Sequence, residues 1–312
     1  MGRRMPGGRA KGGRERGLRN SFCSPAPVQS GIEHFPGIWD YRDPSASETR
    51  FRSLLAQGGS LDFRLQVMSQ IGRALCLQRR FDEAAAVLAD AAAALRGGES
   101  TAAARVVLER GRVHRDQGEI VQATACFRRA LELAGQAAEP YLTVDALHML
   151  GHVQTGDEAL QTFRGALDLA RGSDDPMTRR WQCTLHDNLS AALCRRGDFA
   201  GALACAEEME KAAPDDSRKR DARWRRGRAL RRMGRIPEAQ ALQETLLLEA
   251  PGDGWILGEL GECHWDAGRT AEASAAFEKS LDALRNNPWA LAGEPDWLRS
   301  MRARCGDGNG AI

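Results

Sequence analysis

Apolar and small residues recur along most of the chain with the period of an amphipathic helix. The clearest stretch is residues 108–134, where a helical pattern breaks at Gly118 and resumes with Ala123, Phe127 and Ala130 on one face. Apolar positions at i, i+3, i+4 and i+7 predict a helix that packs along one side. This stretch therefore predicts two helices joined by a tight turn, which we call a helix hairpin.

The same spacing returns five more times along the chain. Each second helix opens its contact face with an alanine, and successive alanines lie 39, 36, 43, 37 and 34 residues apart. These alanines are Ala84, Ala123, Ala159, Ala202, Ala239 and Ala273. One hairpin cannot cover its own apolar face, so neighbouring hairpins must stack into a solenoid with a continuous core.

Small residues also stand at fixed distances before these alanines. Five positions earlier, where we expect the turn, stand Gly118, Gly197, Gly234 and Gly268. About twelve positions earlier stand Gly72, Gly111, Gly227 and Gly261, with His148 and Ser190 assigned to that place in the third and fourth hairpins. A small residue there lets the two helices approach closely, so we call it the close-contact position.

A turn glycine followed by Ala-x3-Phe-x2-Ala is the pattern of the tetratricopeptide repeat, a helix hairpin of 34 residues. Residues 39–306 resemble a group of bacterial stand-alone tetratricopeptide repeat proteins, through segments such as YRDPSASETRFRSLL and GELGECHWDAGRTAEA. The resemblance implies a cytoplasmic, all-helical repeat protein. It implies no activity and no site residues.

We therefore predict an all-α, right-handed superhelical solenoid of about six hairpins, spanning residues 61–287, with a capping helix at each end. An aromatic-rich lead-in and the first capping helix occupy residues 31–60, and a capping box is predicted from Ser45 to Glu48. The final capping helix is predicted within residues 288–306. Each capping helix would cover the apolar face of a terminal hairpin.

The ends of the chain differ from the repeats in composition. Residues 1–20 carry seven basic residues and one acidic residue, 7 − 1 = +6, so the other 292 residues carry 37 − 41 = −4. Residues 1–30 and 307–312 are predicted to be disordered, since they hold few apolar residues. The first segment is open to three interpretations: a basic arm, an organellar presequence, or a solvated tail from a start site placed too far upstream.

The composition and motifs argue against several classes of protein. No apolar run approaches the ~18 residues of a membrane span, so no membrane association is expected. There is no phosphate-binding glycine loop, no G-x-S-x-G and no C-x2-C, so we predict no enzyme activity, cofactor or metal. His148 and His152 stand four apart, but we interpret them as packing residues. The eight cysteines without a secretory segment favour a reducing compartment, the cytoplasm.

The most concentrated charge lies at residues 217–235, with ten basic residues against Asp221. A helix would gather an aromatic ring and several guanidinium groups on the face that lines the concave groove. The predicted groove residues, including equivalents in earlier hairpins, are Arg73, Arg112, Arg115, Trp224, Arg228, Arg231 and Arg232, with Arg105 as a further candidate.

Two functions fit these features. The first is a scaffold that binds an acidic peptide or protein segment in the groove through bidentate guanidinium contacts. The second is a nucleic-acid-associated protein that uses the basic tail and the helix at residues 217–235, with steep salt dependence. A simple solvated, arginine-rich face is the structural alternative to both. The acidic balance of residues 21–312 favours the protein or peptide partner.

Overall fold

The computed structural model describes residues 38–41, 43–95 and 101–306. These residues form sixteen α-helices and contain no β-strand, which confirms the all-α prediction. The helices are α1 (Pro44–Ala56), α2 (Leu61–Leu77), α3 (Phe81–Ala93), α4 (Thr101–Asp116), α5 (Ile120–Gln136), α6 (Pro140–Val153), α7 (Gly156–Gly172), α8 (Pro176–Arg179), α9 (Trp181–Arg196), α10 (Phe199–Ala212), α11 (Asp216–Arg232), α12 (Ile236–Glu249), α13 (Gly254–Asp266), α14 (Thr270–Leu284), α15 (Pro288–Gly293) and α16 (Pro295–Gly306).

The helices pair in chain order as six hairpins: α2–α3, α4–α5, α6–α7, α9–α10, α11–α12 and α13–α14. At the two ends, α1 packs against α2 and α16 packs against α14. The alanine that opens each second helix is buried against its partner helix, as the repeat pattern predicts. Residues 1–30 and 307–312, for which we predicted disorder, lie outside the described residues.

The capping box predicted from Ser45 to Glu48 is wrong. The N-cap of α1 is Asp43, whose carboxylate accepts a hydrogen bond from the backbone N–H of Ala46 at 2.9 Å. Pro44 takes the first helical position, where its missing N–H costs nothing, and this moves the cap before the proline. The Glu48 carboxylate accepts a hydrogen bond from Arg80 at 2.7 Å instead of reaching back to the cap.

Turn glycines hold the left-handed backbone that ends most first helices. Gly118, Gly197, Gly234 and Gly268 have φ of 84°, 89°, 80° and 75°, which confirms their predicted place at the turns. Ala138, between α5 and α6, has φ of 54° although it is not a glycine. A side chain in this region of backbone space is strained because its Cβ crowds the following carbonyl.

The close-contact position of the third hairpin is Gly151, so the assignment of His148 is wrong. A Cβ built on Gly151 would lie 2.6 Å from Cζ of Phe163, just as one on Gly111 would lie 2.6 Å from Cδ1 of Phe127. The reason is helix length: α6 ends two residues after Gly151, whereas α4 continues five residues past Gly111. Losing most of a turn moves the glycine closer to the loop.

The apolar core is not uniform along the solenoid. One large cluster joins α1 to α4, a second runs from α4 to α10, and a third runs from α11 to α16. Where the second meets the third, Ala229 joins the second cluster and a small group of Cys183, Met209 and Ala222 connects α9, α10 and α11. At the junction between the fourth and fifth hairpins the apolar core is therefore divided among several clusters.

Candidate functional site

The first helices of neighbouring hairpins contact each other from α2 through α4 to α6 and from α9 through α11 to α13, with the short α8 between α6 and α9. They form the inner surface of the solenoid, which we call the groove. The helices are α2, α4, α6, α9, α11 and α13. All seven predicted groove residues lie on α2, α4 or α11. The question is which of their charges are available to a partner and which are already paired within the chain.

Arg73 and Arg112 belong to a chain of ion pairs across α2, α4 and α6. Arg73 donates to Glu109 at 3.4 Å, and Arg112 donates to Glu109 and Asp145 at 2.5 Å each. Burial would raise the pKa of Asp145, but Arg112 and the neighbouring His148 hold it well below its usual range. Arg112 is only 6% exposed, so its charge is already used to connect α4 with α6.

Arg231 is paired in the same way at the other end of the groove. Its guanidinium donates to Glu259 and, at 2.8 Å, to Asp266, both on the neighbouring α13. These carboxylates hold the pKa of Arg231 above its usual range although burial opposes this. Arg231 is 8% exposed and holds α11 against α13.

Trp224 is a core residue. Its Nε1–H donates to the backbone carbonyl of Trp255 at 3.0 Å, and the two rings pack edge to face with centroids 5.5 Å apart. The guanidinium of Arg228 lies over the Trp224 ring, 5.6 Å from its centroid. Trp224 therefore supports a groove arginine and is itself buried.

Arg228 is held between two tryptophans and a carboxylate. Its guanidinium lies 5.6 Å from the ring centroids of both Trp224 and Trp297. It donates two hydrogen bonds to Glu294, at 3.1 and 3.3 Å, one to each carboxylate oxygen. Glu294 lies in the turn between α15 and α16, outside the six hairpins.

Arg232 is exposed, and its guanidinium stacks over Phe199 at 4.9 Å. Arg195, on α9, is also exposed. Neither forms an ion pair with any residue in the described part of the chain. The sequence-based assignment missed Arg195, although it stands two residues before Gly197 just as Arg232 stands two residues before Gly234. The repeat register was the signal that could have found it.

Four arginines from α9 and α11 surround a small cavity of about 40 Å³, which we call the arginine pocket. They are Arg195, Arg225, Arg228 and Arg232, and Glu294 also lines the cavity. Arg225 pairs with Asp187 at 2.5 Å. Although Arg195 is exposed, desolvation by the side chains beside it lowers its pKa; Glu294 opposes this shift, and the charges of Arg225 and Arg228 add to it. The pocket thus crowds more positive charge together than its carboxylates neutralise.

A wider cleft of about 780 Å³ lies beside the pocket. Arg228 and Arg232 line both, while Trp297 and Arg304 of α16 and Asp266 of α13 line the cleft alone. A chain segment bound in the cleft would therefore lie next to two arginines of the pocket.

The other predicted residues have different surroundings. Arg115 donates to Asp116 at 2.7 Å and contacts Sδ of Met149 at 3.8 Å. Arg105 is 4% exposed, and its Nε–H has no hydrogen-bond partner within the described residues. Burial lowers the pKa of Arg105, against the attraction of Tyr141.

The basic stretch at residues 217–235 is largely neutralised by carboxylates of neighbouring turns and helices. Arg223 donates to both oxygens of Glu249, at 2.8 and 2.9 Å, and Arg226 donates to Glu210 at 3.3 Å. Further pairs are Arg218–Asp221, Lys219–Asp216, Arg225–Asp187, Arg228–Glu294, Arg231–Glu259 and Arg235–Glu238. Most of this charge stabilises the solenoid, so it gives few unpaired cations for a phosphate backbone.

His148 and His152 lie together on α6, with their Nε2 atoms 3.0 Å apart. Burial lowers the pKa of His148, and burial together with His148 lowers that of His152, so both are neutral near pH 7. The described residues contain no group of three or more histidine, cysteine or acidic side chains arranged to hold a metal ion. The pair packs around Phe163, which is a structural role.

The lead-in covers the first turns of the groove at its N-terminal end. Trp39 donates from Nε1 to Oε1 of Gln70 on α2 at 3.0 Å, and its ring stacks on Tyr41 at 4.8 Å. Arg73 in turn lies over Tyr41, 5.8 Å from the ring centroid.

Among the described residues, no helix is long and apolar enough to cross a membrane.

Comparison with known proteins agrees with this architecture. The family model described as tetratricopeptide repeat matches residues 189–253 and 225–288. No curated protein sequence matches the chain significantly.

Several solved structures share the fold. A tetratricopeptide repeat protein from Parabacteroides merdae has 14% identity and a TM-score of 0.52, covering 84% of this chain and 94% of that chain. The quorum sensor NprR from B. thuringiensis, solved with its cognate peptide NprX, has 13% identity and a TM-score of 0.58 over 84% and 78% of the two chains. A signal transduction ATPase with a tetratricopeptide repeat sensor from Pyrococcus horikoshii has 12% identity and a TM-score of 0.60 over 82% and 41%. The family model covers residues 189–288, and the six helix hairpins of the described residues have the fold of a tetratricopeptide repeat solenoid.

Proposed function

We propose that the protein is a non-catalytic scaffold that binds an acidic peptide or protein segment in its groove. The fold supports a binding role, because helical repeat solenoids present extended concave surfaces to partners. NprR, which shares the fold, has been solved with a bound peptide. A cytoplasmic location stays a prediction from the sequence.

The arginine pocket is the observation that carries the acidic preference. Its four guanidinium groups meet two carboxylates, those of Asp187 and Glu294, so a net positive charge faces the groove. A sheltered hydrogen bond to a charged group contributes roughly 1.5–3 kcal/mol. An exposed ion pair contributes less, about 0–1 kcal/mol. We therefore assign recognition to Arg195, Arg228 and Arg232.

The other predicted groove residues have a different part in this proposal. Arg73, Arg112 and Arg231 are paired with carboxylates of this chain, so they hold neighbouring hairpins in register. Arg115 lies against Met149, and the buried ring of Trp224 supports Arg228. Reversing the charge of Arg112 or Arg231 would disturb the fold, so these two residues are poor choices for a binding test.

The test uses a fluorescein-labelled peptide rich in glutamate and aspartate, a glutamine and asparagine version of it, and a labelled oligothymidylate. Binding is followed by fluorescence anisotropy at low and at physiological salt. The double variant Arg195→Glu/Arg232→Glu should lose the acidic peptide. The matched control Arg128→Glu/Arg164→Glu changes two exposed arginines on second helices and should bind as the wild type does.

Three outcomes separate the functions. Selective binding of the acidic peptide, lost only in the pocket variant, supports the proposal. Equal loss of peptide binding in both double variants would show that binding depends only on the net charge of the protein. Preferential binding of the oligothymidylate, with steep salt dependence, would favour the nucleic-acid function through the basic tail.

A further inference from the structure

We propose that Glu294 is a built-in competitor, which occupies the place of a partner carboxylate in the arginine pocket and is displaced when an acidic segment binds. The inference rests on the proposed function, since it concerns the same pocket. It adds that the ligand carries two neighbouring carboxylates and that Glu294 limits the affinity for it.

Glu294 reaches the pocket from outside the repeats. It lies 66 residues after Arg228, in the turn between α15 and α16, and contacts Arg228 on α11. Each of its two oxygens accepts one hydrogen bond from Arg228, at 3.1 and 3.3 Å. This paired geometry is the one in which a guanidinium recognises any carboxylate. The Arg228–Glu294 pair thus shows how a carboxylate of a partner would bind Arg228.

Glu294 leaves part of the pocket unsatisfied. Arg195 and Arg232 line the same cavity but form no ion pair within the described residues. Desolvation is the main cause of the lowered pKa of Arg195; Glu294 opposes this shift, and the charges of Arg225 and Arg228 add to it. The best ligand therefore carries two adjacent carboxylates, one that replaces Glu294 on Arg228 and one that lies between Arg195 and Arg232.

The contact of Glu294 can open without unfolding the cap. Its side chain is 22% exposed, and its two hydrogen bonds are longer than the 2.5 Å contact of the buried Arg112–Asp145 pair. α16 is anchored independently by Trp297, whose Nε1–H donates to Glu262 at 2.9 Å and whose ring packs against Trp255. The Glu294 side chain can therefore leave while α16 stays in place.

A competing side chain lowers the apparent affinity for a ligand, which equals the intrinsic affinity multiplied by the fraction of molecules in which the side chain has left the site. The Arg228–Glu294 pair is partly exposed, and pairs of this kind are modest in strength. Its removal should therefore tighten binding of a diacidic peptide roughly fivefold. A peptide with one carboxylate should gain less, because it can already use Arg195 and Arg232.

The experiment compares Glu294→Gln with Glu278→Gln, a control at an exposed position on α14. A labelled peptide carrying an Asp-Asp pair is titrated by anisotropy, and tryptophan emission is recorded in parallel because Trp224 and Trp297 enclose Arg228. We expect tighter binding by Glu294→Gln only. We also expect the emission of the free Glu294→Gln variant to resemble that of the peptide-bound wild type.

Equal affinity for the wild type and Glu294→Gln would overturn the competitor and leave the proposed function standing. Weaker binding by Glu294→Gln would also overturn it, since Glu294 would then be organising the pocket. If neither protein binds, the proposed function fails as well. Adding Arg195→Glu to Glu294→Gln should abolish the gain, and a gain that persists would place the peptide elsewhere. Thermal melts of all variants would show whether each substitution leaves the stability of the fold unchanged.

Discussion

Replacing Gly151 with alanine tests how the third hairpin is packed. The added Cβ would lie 2.6 and 2.7 Å from Cζ and Cδ1 of Phe163, where an ordinary contact needs more than 3.4 Å. Phe163 is itself buried and is packed against the ring of His152 with centroids 5.6 Å apart. The ring has no free space, so α6 and α7 must move apart by roughly 1 Å, a strain typical of overpacked cores.

The size of the effect follows from two opposing terms. Overpacking of this kind costs about 1–3 kcal/mol, and contact with a buried ring places it near the upper end. Alanine in a helix interior gains about 1 kcal/mol over glycine. Gly151→Ala should therefore lose about 2 kcal/mol. Gly165 lies inside α7 with no atom within 4 Å of an added Cβ, so Gly165→Ala should instead gain up to about 1 kcal/mol.

Urea unfolding followed by far-UV circular dichroism measures both variants against the wild type. The expected gap between them is about 3 kcal/mol, well above the error of the extrapolation. If Gly151→Ala proved as stable as Gly165→Ala, the close approach of α6 to Phe163 would be refuted. The sequence-based assignment of His148 to the close-contact position would then regain its standing.

Three further predictions concern backbone strain and buried charge. Ala138→Gly should stabilise the protein by roughly 0.5–1 kcal/mol in urea unfolding, because glycine relieves the left-handed backbone at φ 54°; a loss of stability would contradict this. Burial raises the pKa of Asp253 to about 8, so the folded state binds its proton more tightly than the unfolded state and stability falls as pH rises from about 4 to about 8. Asp253→Asn keeps a helix cap and should lose less of its melting temperature between about pH 5 and about pH 9 than the wild type does; parallel profiles would disprove the assignment. Arg112→Gln removes the guanidinium from Asp145 and leaves Glu109 with Arg73 alone, so it should cost about 3–5 kcal/mol in urea unfolding; a loss under about 1 kcal/mol would show that the pair is dispensable.

The sequence predicted the hairpins because their pattern is a direct record of packing. Ala123, Phe127 and Ala130 are all buried where one helix meets the next, and small residues are tolerated at these crossings for steric reasons alone. The misplaced features depended on local geometry instead. His148 was displaced by the shortened α6, and Ser45 by the proline at the start of α1.

The site was harder to predict because charge pairing is not local in sequence. Arg231 pairs with Glu259 across 28 residues, and Arg228 pairs with Glu294 across 66. A count of basic residues on one helix cannot show that neighbouring helices neutralise them. Arg195 was missed for the converse reason: α9 has only two arginines, Arg195 and Arg196, and the role of Arg195 is evident only from its position beside Arg232.

The divided apolar core between the fourth and fifth hairpins has a mechanical consequence. Ion pairs as well as apolar contacts bridge this junction, Arg225 with Asp187 and Arg226 with Glu210. Arg226–Glu210 is partly exposed, so salt screens it more than it screens a buried pair such as Arg112–Asp145. The angle between the fourth and fifth hairpins should therefore respond more to ionic strength than the angles at junctions held by buried ion pairs.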